Sequence, residues 1–141
     1  MTKERGKSRA TSPKSQGRAP ADRWTPVLVK EGWTPVSESF LRLYGGMHPP
    51  ISAGEAMFII QLLSFKWDRS MPRPGLRTLA QRMGVSDTQV RSYARSLEKN
   101  GYLKRILRVG QTNRFDLGPL FAALGDELQG NPVRKPEEDF D

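Results

Sequence analysis

The stretch from Leu79 to Leu97, LAQRMGVSDTQVRSYARSL, constrains the fold of this 141-residue chain more than any other, because it encodes two helices joined by a very tight reversal. Ala80 places a small side chain where a second helix has to cross the first. Gly84 then stops the first helix, since glycine adopts the positive φ of a C-terminal turn without steric cost. Ser86 stands where a cap is needed for the second helix, and Gln89 three residues on is placed to complete a capping box. Val90, Tyr93, Ala94 and Leu97 recur at i, i+3, i+4 and i+7, so they share one face, the predicted core side. A turn of about 100° per residue leaves Thr88, Ser92, Arg95 and Lys99 opposite, with Gln89 and Arg91 on the flanks. That outer face is left for a ligand.

The remaining elements surround this pair. Ser52-Ala53-Gly54-Glu55 is a second capping-box sequence, opening a helix predicted to reach about Trp67. Met57, Phe58, Ile59, Ile60, Leu62, Leu63 and Phe65 wrap most of its circumference, which marks it as the central, buried helix. A loop from Asp68 to Gly75 leads to the first motif helix, which ends at Met83. The second runs from Asp87 to about Asn100, with Gly101 as its stop. Tyr102 to Val109 is strand-like, although Arg105 shares parity with Leu103, Leu107 and Val109. Gly110-Gln111-Thr112-Asn113 supplies a turn and Arg114 to Leu117 a return strand, a hairpin pattern. Gly118-Pro119 opens a last helix with the stripe Leu117, Leu120, Phe121, Leu124 and Leu128. The predicted class is therefore mainly α with a small β-hairpin, and the compact domain spans residues 51–130.

The flanks read differently. Residues 1–23 have little to bury and are expected to form a disordered basic tail. Trp24-Thr25-Pro26-Val27 recurs as Trp33-Thr34-Pro35-Val36, and its prolines predict an extended arm over 24–50 with a short helix from Ser37 to Tyr44. Trp24, Trp33 and Trp67 are expected to anchor packing rather than stack on bases, and His48 is expected in a loop. Residues 131–141 form an acidic tail, with four acids among the last five residues.

Charge is distributed unevenly. The formal net charge is +8, yet residues 69–114 alone hold eleven Lys or Arg against Asp87 and Glu98. The positive charge coincides with the two-helix motif, which favours a polyanionic partner over mere solubility. With no cysteine and one histidine, thiolate metal sites and cysteine nucleophiles are excluded. No phosphate-cradling glycine loop and no spaced carboxylate pair stands in the predicted core, so neither an enzyme, a metal nor a cofactor is expected. The longest apolar run, Ala56 to Ile60, is five residues, too short for a bilayer. No apolar segment follows the basic start, so no secretory signal is expected and the cytoplasm, in association with the nucleoid, is the expected location.

Three helices followed by a hairpin, with these particular residues, resemble the winged helix-turn-helix family of bacteria, plasmids and phages. Over Ile51 to Leu124 the resemblance rests on Glu55, Leu79-Ala80, Met83-Gly84-Val85-Ser86, Val90, Leu97-Glu98, Gly101-Tyr102, Asn113, Asp116 and Pro119-Leu120. GntR-type and MarR-type repressors share the local pattern. The resemblance implies a three-helix core plus a wing and a C-terminal helix, and it implies sequence-specific binding of double-stranded DNA. The second motif helix would enter the major groove, with Thr88, Gln89, Arg91, Ser92 and Arg95 at the base edges. Ser86, Lys99, Arg69, Arg73 and Arg77 would meet the backbone, and Arg108, Gln111, Thr112, Asn113 and Arg114 on the wing would reach the backbone or minor groove. A small transcription regulator is the favoured role, because no second domain for replication partners is apparent. A plasmid or phage replication initiator is the alternative. No effector-binding domain or small-molecule site is evident.

Blander readings stand beside these. The outer helix face has a secondary reading as an ordinary solvated face, Arg108 and Arg114 one as solvation of an edge strand, and Arg105 one as a partner of Asp116 across the hairpin. A winged helix also serves in protein–protein recognition, which would show as exposed apolar anchors. Homodimerisation, through helix 118–129 or residues 24–44, is a further candidate partnership.

Overall fold

The computed structural model describes residues 19–66 and 69–130. Most of the basic N-terminal tail, Trp67 and the acidic C-terminal tail lie outside the described residues. The chain divides into two compact units, up to Pro35 and from Val36 onward.

The first unit corrects the expected extended arm. Its described part holds two short helices, α1 (Pro20–Arg23) and α2 (Pro26–Lys30). Pro26 takes the first helical position, where a missing N–H costs nothing, and the Thr25 side chain accepts a hydrogen bond from the Leu28 amide at 3.2 Å. Proline therefore starts a helix here instead of extending the chain. Trp24 and Trp33 do not anchor a core: both are exposed, with Val27 and Leu28 also in solvent.

In the second unit, α3 (Glu38–Leu43) is capped by Ser37 and runs into a 3₁₀ turn at Tyr44–Gly46. The central helix α4 (Ala53–Ser64) forms the full capping box: the Glu55 amide donates to Ser52 Oγ at 3.1 Å, and the Ser52 amide donates to Glu55 Oε1 at 2.9 Å. It ends at Ser64, short of Trp67. Phe58, Ile59 and Leu62 are fully buried, while Met57 is exposed, so the apolar wrap is incomplete.

The motif helices are α5 (Leu76–Met83) and α6 (Asp87–Lys99). Both close with the same hydrogen-bond pattern. After α5, the Val85 amide reaches Ala80 O and the Gly84 amide reaches Gln81 O. After α6, the Tyr102 amide reaches Leu97 O and the Gly101 amide reaches Glu98 O. Each pattern requires a left-handed residue, supplied by Gly84 at φ +69° and Gly101 at φ +82°. Helices α4, α5 and α6 pack mutually. Leu79, Val90, Ala94 and Leu97 close the centre. Each of these larger aliphatic side chains contributes about 1.5–3 kcal/mol by leaving water.

The hairpin joins β1 (Lys104–Ile106) to β2 (Arg114–Asp116), with Lys104 opposite Asp116, Arg105 opposite Phe115 and Ile106 opposite Arg114. It is shorter than the predicted strand, because Tyr102 and Leu103 turn into the core while Leu107 and Val109 stand in solvent. The Phe115 amide donates to Pro72 O at 2.9 Å, so the loop before α5 covers the outer edge of β2. Phe115 meets Phe58 edge-to-face at 6.3 Å, fastening hairpin to central helix. Helix α7 (Gly118–Gly130) packs on α3 through Leu120 and Leu124, whereas Phe121, expected in its buried stripe, is 45% exposed. A mainly helical unit carrying one two-stranded hairpin is the architecture of a winged helix-turn-helix.

Candidate nucleic-acid interface

Helix α6 turns one face inward and offers the other to solvent. Val90, Ala94 and Leu97 are completely buried, while Thr88, Gln89, Arg91, Ser92, Arg95 and Lys99 are all exposed. Burial of the first set fixes the rotation of the helix about its axis, and thereby the orientation of the second. Ser86 caps the helix, accepting from the Gln89 amide at 3.0 Å. The capping box expected there is half made. At the equivalent place in α4 the charged Glu55 carboxylate returns a bond to its cap residue, and the neutral Gln89 amide, a weaker acceptor, stays in solvent.

The two acids of the basic segment are both engaged inside the protein. Asp87 pairs with Arg77 at 3.6 Å, joining the starts of α5 and α6. Arg77, expected on the DNA backbone, is thus shared with a carboxylate, although its side chain remains 80% exposed. Glu98 pairs with Arg105 Nη2 at 2.8 Å and also accepts from Arg105 Nε at 3.0 Å and from its backbone amide at 3.3 Å. This replaces the expected pairing of Arg105 with Asp116. Neighbouring strand residues point to opposite faces, so Arg105, opposite Phe115, cannot share a face with Asp116. Asp116 instead accepts from the Gly118 amide at 2.8 Å, at the start of α7. The Glu98 clamp ties the end of α6 directly to the first wing strand.

Three arginines gather at the wing. Arg108 Nε donates to Thr112 O at 2.9 Å, and Thr112 Oγ1 donates to Arg73 O at 3.0 Å. Partial desolvation, then the nearby Arg114 and Arg73 guanidinium groups, lower the Arg108 pKa from its usual value. Among the described residues no carboxylate pairs with these three. Gln111 and Thr112 are exposed, and Asn113 and Arg114 are half-buried. Arg69 stands elsewhere, lining a cleft beside Asp116 and Phe121.

The structure therefore groups Arg73, Arg108 and Arg114 at the wing, ties the wing to the end of α6 through Glu98 and Arg105, and places Arg69 in a separate cleft. The Glu98 clamp and the strand-like bond at Pro72 were not foreseen. Both depend on register across the hairpin, for which Glu98-Gly101-Tyr102 in the sequence carries no signal beyond spacing.

An apolar groove of about 270 Å³ also opens between α3, α4 and α7, lined by Phe40, Ile59, Leu63, Phe121 and Leu124, with Ser37 and Ser39 at its edge. Among the described residues no three His, Asp or Glu side chains are grouped to hold a metal ion. No described helix is long and apolar enough to cross a membrane.

A helix with an exposed face bearing Arg91, Arg95 and Lys99 on a buried three-helix centre, with a hairpin tied to its end through Glu98 and Arg105, is the arrangement of a helix-turn-helix. Residues 51–103 match the family described as Helix-turn-helix domain. The match takes in α4, α5 and α6 and ends before β1, so the hairpin and α7 rest on the structure. No curated protein matches the chain.

Proposed function

We propose that the protein binds double-stranded DNA sequence-specifically, without enzymatic activity, and acts as a small transcription regulator on DNA in the cytoplasm. The observation that carries this reading is the exposure of Thr88, Gln89, Arg91, Ser92 and Arg95 on one face of α6, opposite a sealed core. The major groove, about 12 Å wide, accepts such a helix, and a guanidinium makes two parallel bonds to guanine O6 and N7. Arg91 and Arg95 are the base readers, Lys99 a phosphate contact, and the wing arginines hold the flanking backbone. The α6 face shows no large exposed apolar side chain, which weighs against a protein partner at this surface.

A second copy bound through α7 supports symmetric half-sites about one helical turn apart. Exposed Phe121, which lines the apolar groove, favours that contact, which sedimentation across a concentration series tests.

Selection from random duplexes at physiological salt is the direct experiment. It is expected to return a short motif, and two inverted copies would add the dimer. Arg95→Ala is expected to flatten preference at one base pair by about 1–3 kcal/mol. Lys99→Ala is expected to weaken all duplexes alike. No enriched motif, or equal losses for both variants on every sequence, removes the base-reading assignment. A motif found at promoters supports the regulatory role, and one confined to replication origins replaces it with initiation.

A further inference from the structure

The tip of the hairpin carries an unexplained cost. Leu107 is 76% exposed and Val109 completely so, on either side of Arg108. Two aliphatic side chains held in water gain nothing for the fold. The loop that bears them is nonetheless ordered by its own bonds: Arg108 Nε to Thr112 O, the Gln111 amide to Arg108 O at 3.3 Å, and Thr112 Oγ1 to the Arg73 carbonyl. Gly110, at φ +70°, makes the reversal immediately after Val109. The tip thus holds two exposed aliphatic side chains on a hydrogen-bonded loop, flanking Arg108, which itself interacts electrostatically with Arg114 and Arg73.

We propose that Leu107 and Val109 form a wedge that enters the minor groove of double-stranded DNA and unstacks a base step, so that the protein bends the DNA it binds. The proposal rests on the DNA-binding reading above and adds deformation to it. Charge selects this partner over a protein. A stable protein interface buries about 800 Å² on each side, far more than two side chains provide. A minor groove about 6 Å wide has phosphates on both walls, matching an aliphatic pair flanked by guanidinium groups. Apolar side chains inserted between base steps kink duplexes in just this combination with arginine. The Glu98–Arg105 pair links the first wing strand to the end of α6, so a helix seated in the major groove would bring the tip toward the adjacent minor groove.

Ring closure of short DNA tests this without knowledge of the target site. A random-sequence duplex of about 120 base pairs, shorter than the persistence length, closes poorly under ligase unless it is bent. The full chain is expected to raise the closure rate about tenfold at saturating protein. The L107S/V109S double variant, altered only at solvent-exposed positions, is expected to lose that gain while retaining the duplex within about threefold in a mobility-shift assay. An intact thermal transition shows that it folds. Wild-type binding without faster closure, or closure undiminished in the double variant, overturns the wedge and leaves the DNA-binding reading standing. Failure of the wild-type chain to retain the duplex at all overturns both.

Discussion

At the scale of single residues, the decisive positions are those with one physical solution. Gly84 and Gly101 hold left-handed turns, and both were legible in the sequence because glycine before a capping serine, or after a helical stripe, leaves few alternatives. Tyr102 was legible only as strand-like. In the structure its ring is buried and its hydroxyl donates to the Pro49 carbonyl, 53 residues away in sequence. Burial, followed by the charges of Glu127 and Glu55, raises its phenol pKa above the usual 10.0. The unfolded chain ionises first as pH rises, so this contribution is complete below pH 10.0 and is lost as pH climbs toward the folded value. Tyr102→Phe is therefore expected to cost about 1 kcal/mol at neutral pH. It is also expected to flatten the fall of stability above pH 10.0, both read by urea denaturation across a pH series.

At the scale of elements, the crossing of α4 over α6 depends on a residue that composition conceals. A Cβ on Gly54 would come within 2.6 Å of Tyr93 Cζ, so the absence of a side chain lets the start of α4 approach α6. Tyr93 also meets Phe58, at a ring separation of 6.5 Å. Gly54→Ala gains helix propensity but overpacks this contact, and the net expectation is a loss of about 1–3 kcal/mol in a denaturant melt. An unchanged or higher midpoint would show that the Tyr93 ring yields freely. In the sequence Gly54 reads only as the third residue of a capping box, since close approach is a property of two helices at once. The same reason hid the Glu98–Arg105 clamp: each residue looks like a surface charge until the strand register opposes Arg105 to Phe115.

At the scale of the whole molecule, the charge pattern sets how the protein meets DNA. With Asp87 and Glu98 neutralised internally, the cations of α6 and the wing face outward without local competition. If six phosphates are neutralised, log K against log salt for duplex binding is expected to fall with a slope of about −5. A slope near zero in fluorescence titrations would contradict an electrostatic interface. Removing Arg73, Arg108 and Arg114 together is expected to make the slope shallower by about 2.7. The sequence by itself determined the three helices, the glycine stops of α5 and α6, the core stripe of α6 and the face it leaves outward, because these follow from local periodicity and backbone sterics. Only the tertiary structure decided that Pro26–Lys30 is helical, that Arg105 belongs to Glu98, and that Leu107 and Val109 stand at a bare tip. Those outcomes depend on register and on which surfaces meet, and distant parts of a chain settle these jointly as they compete for burial.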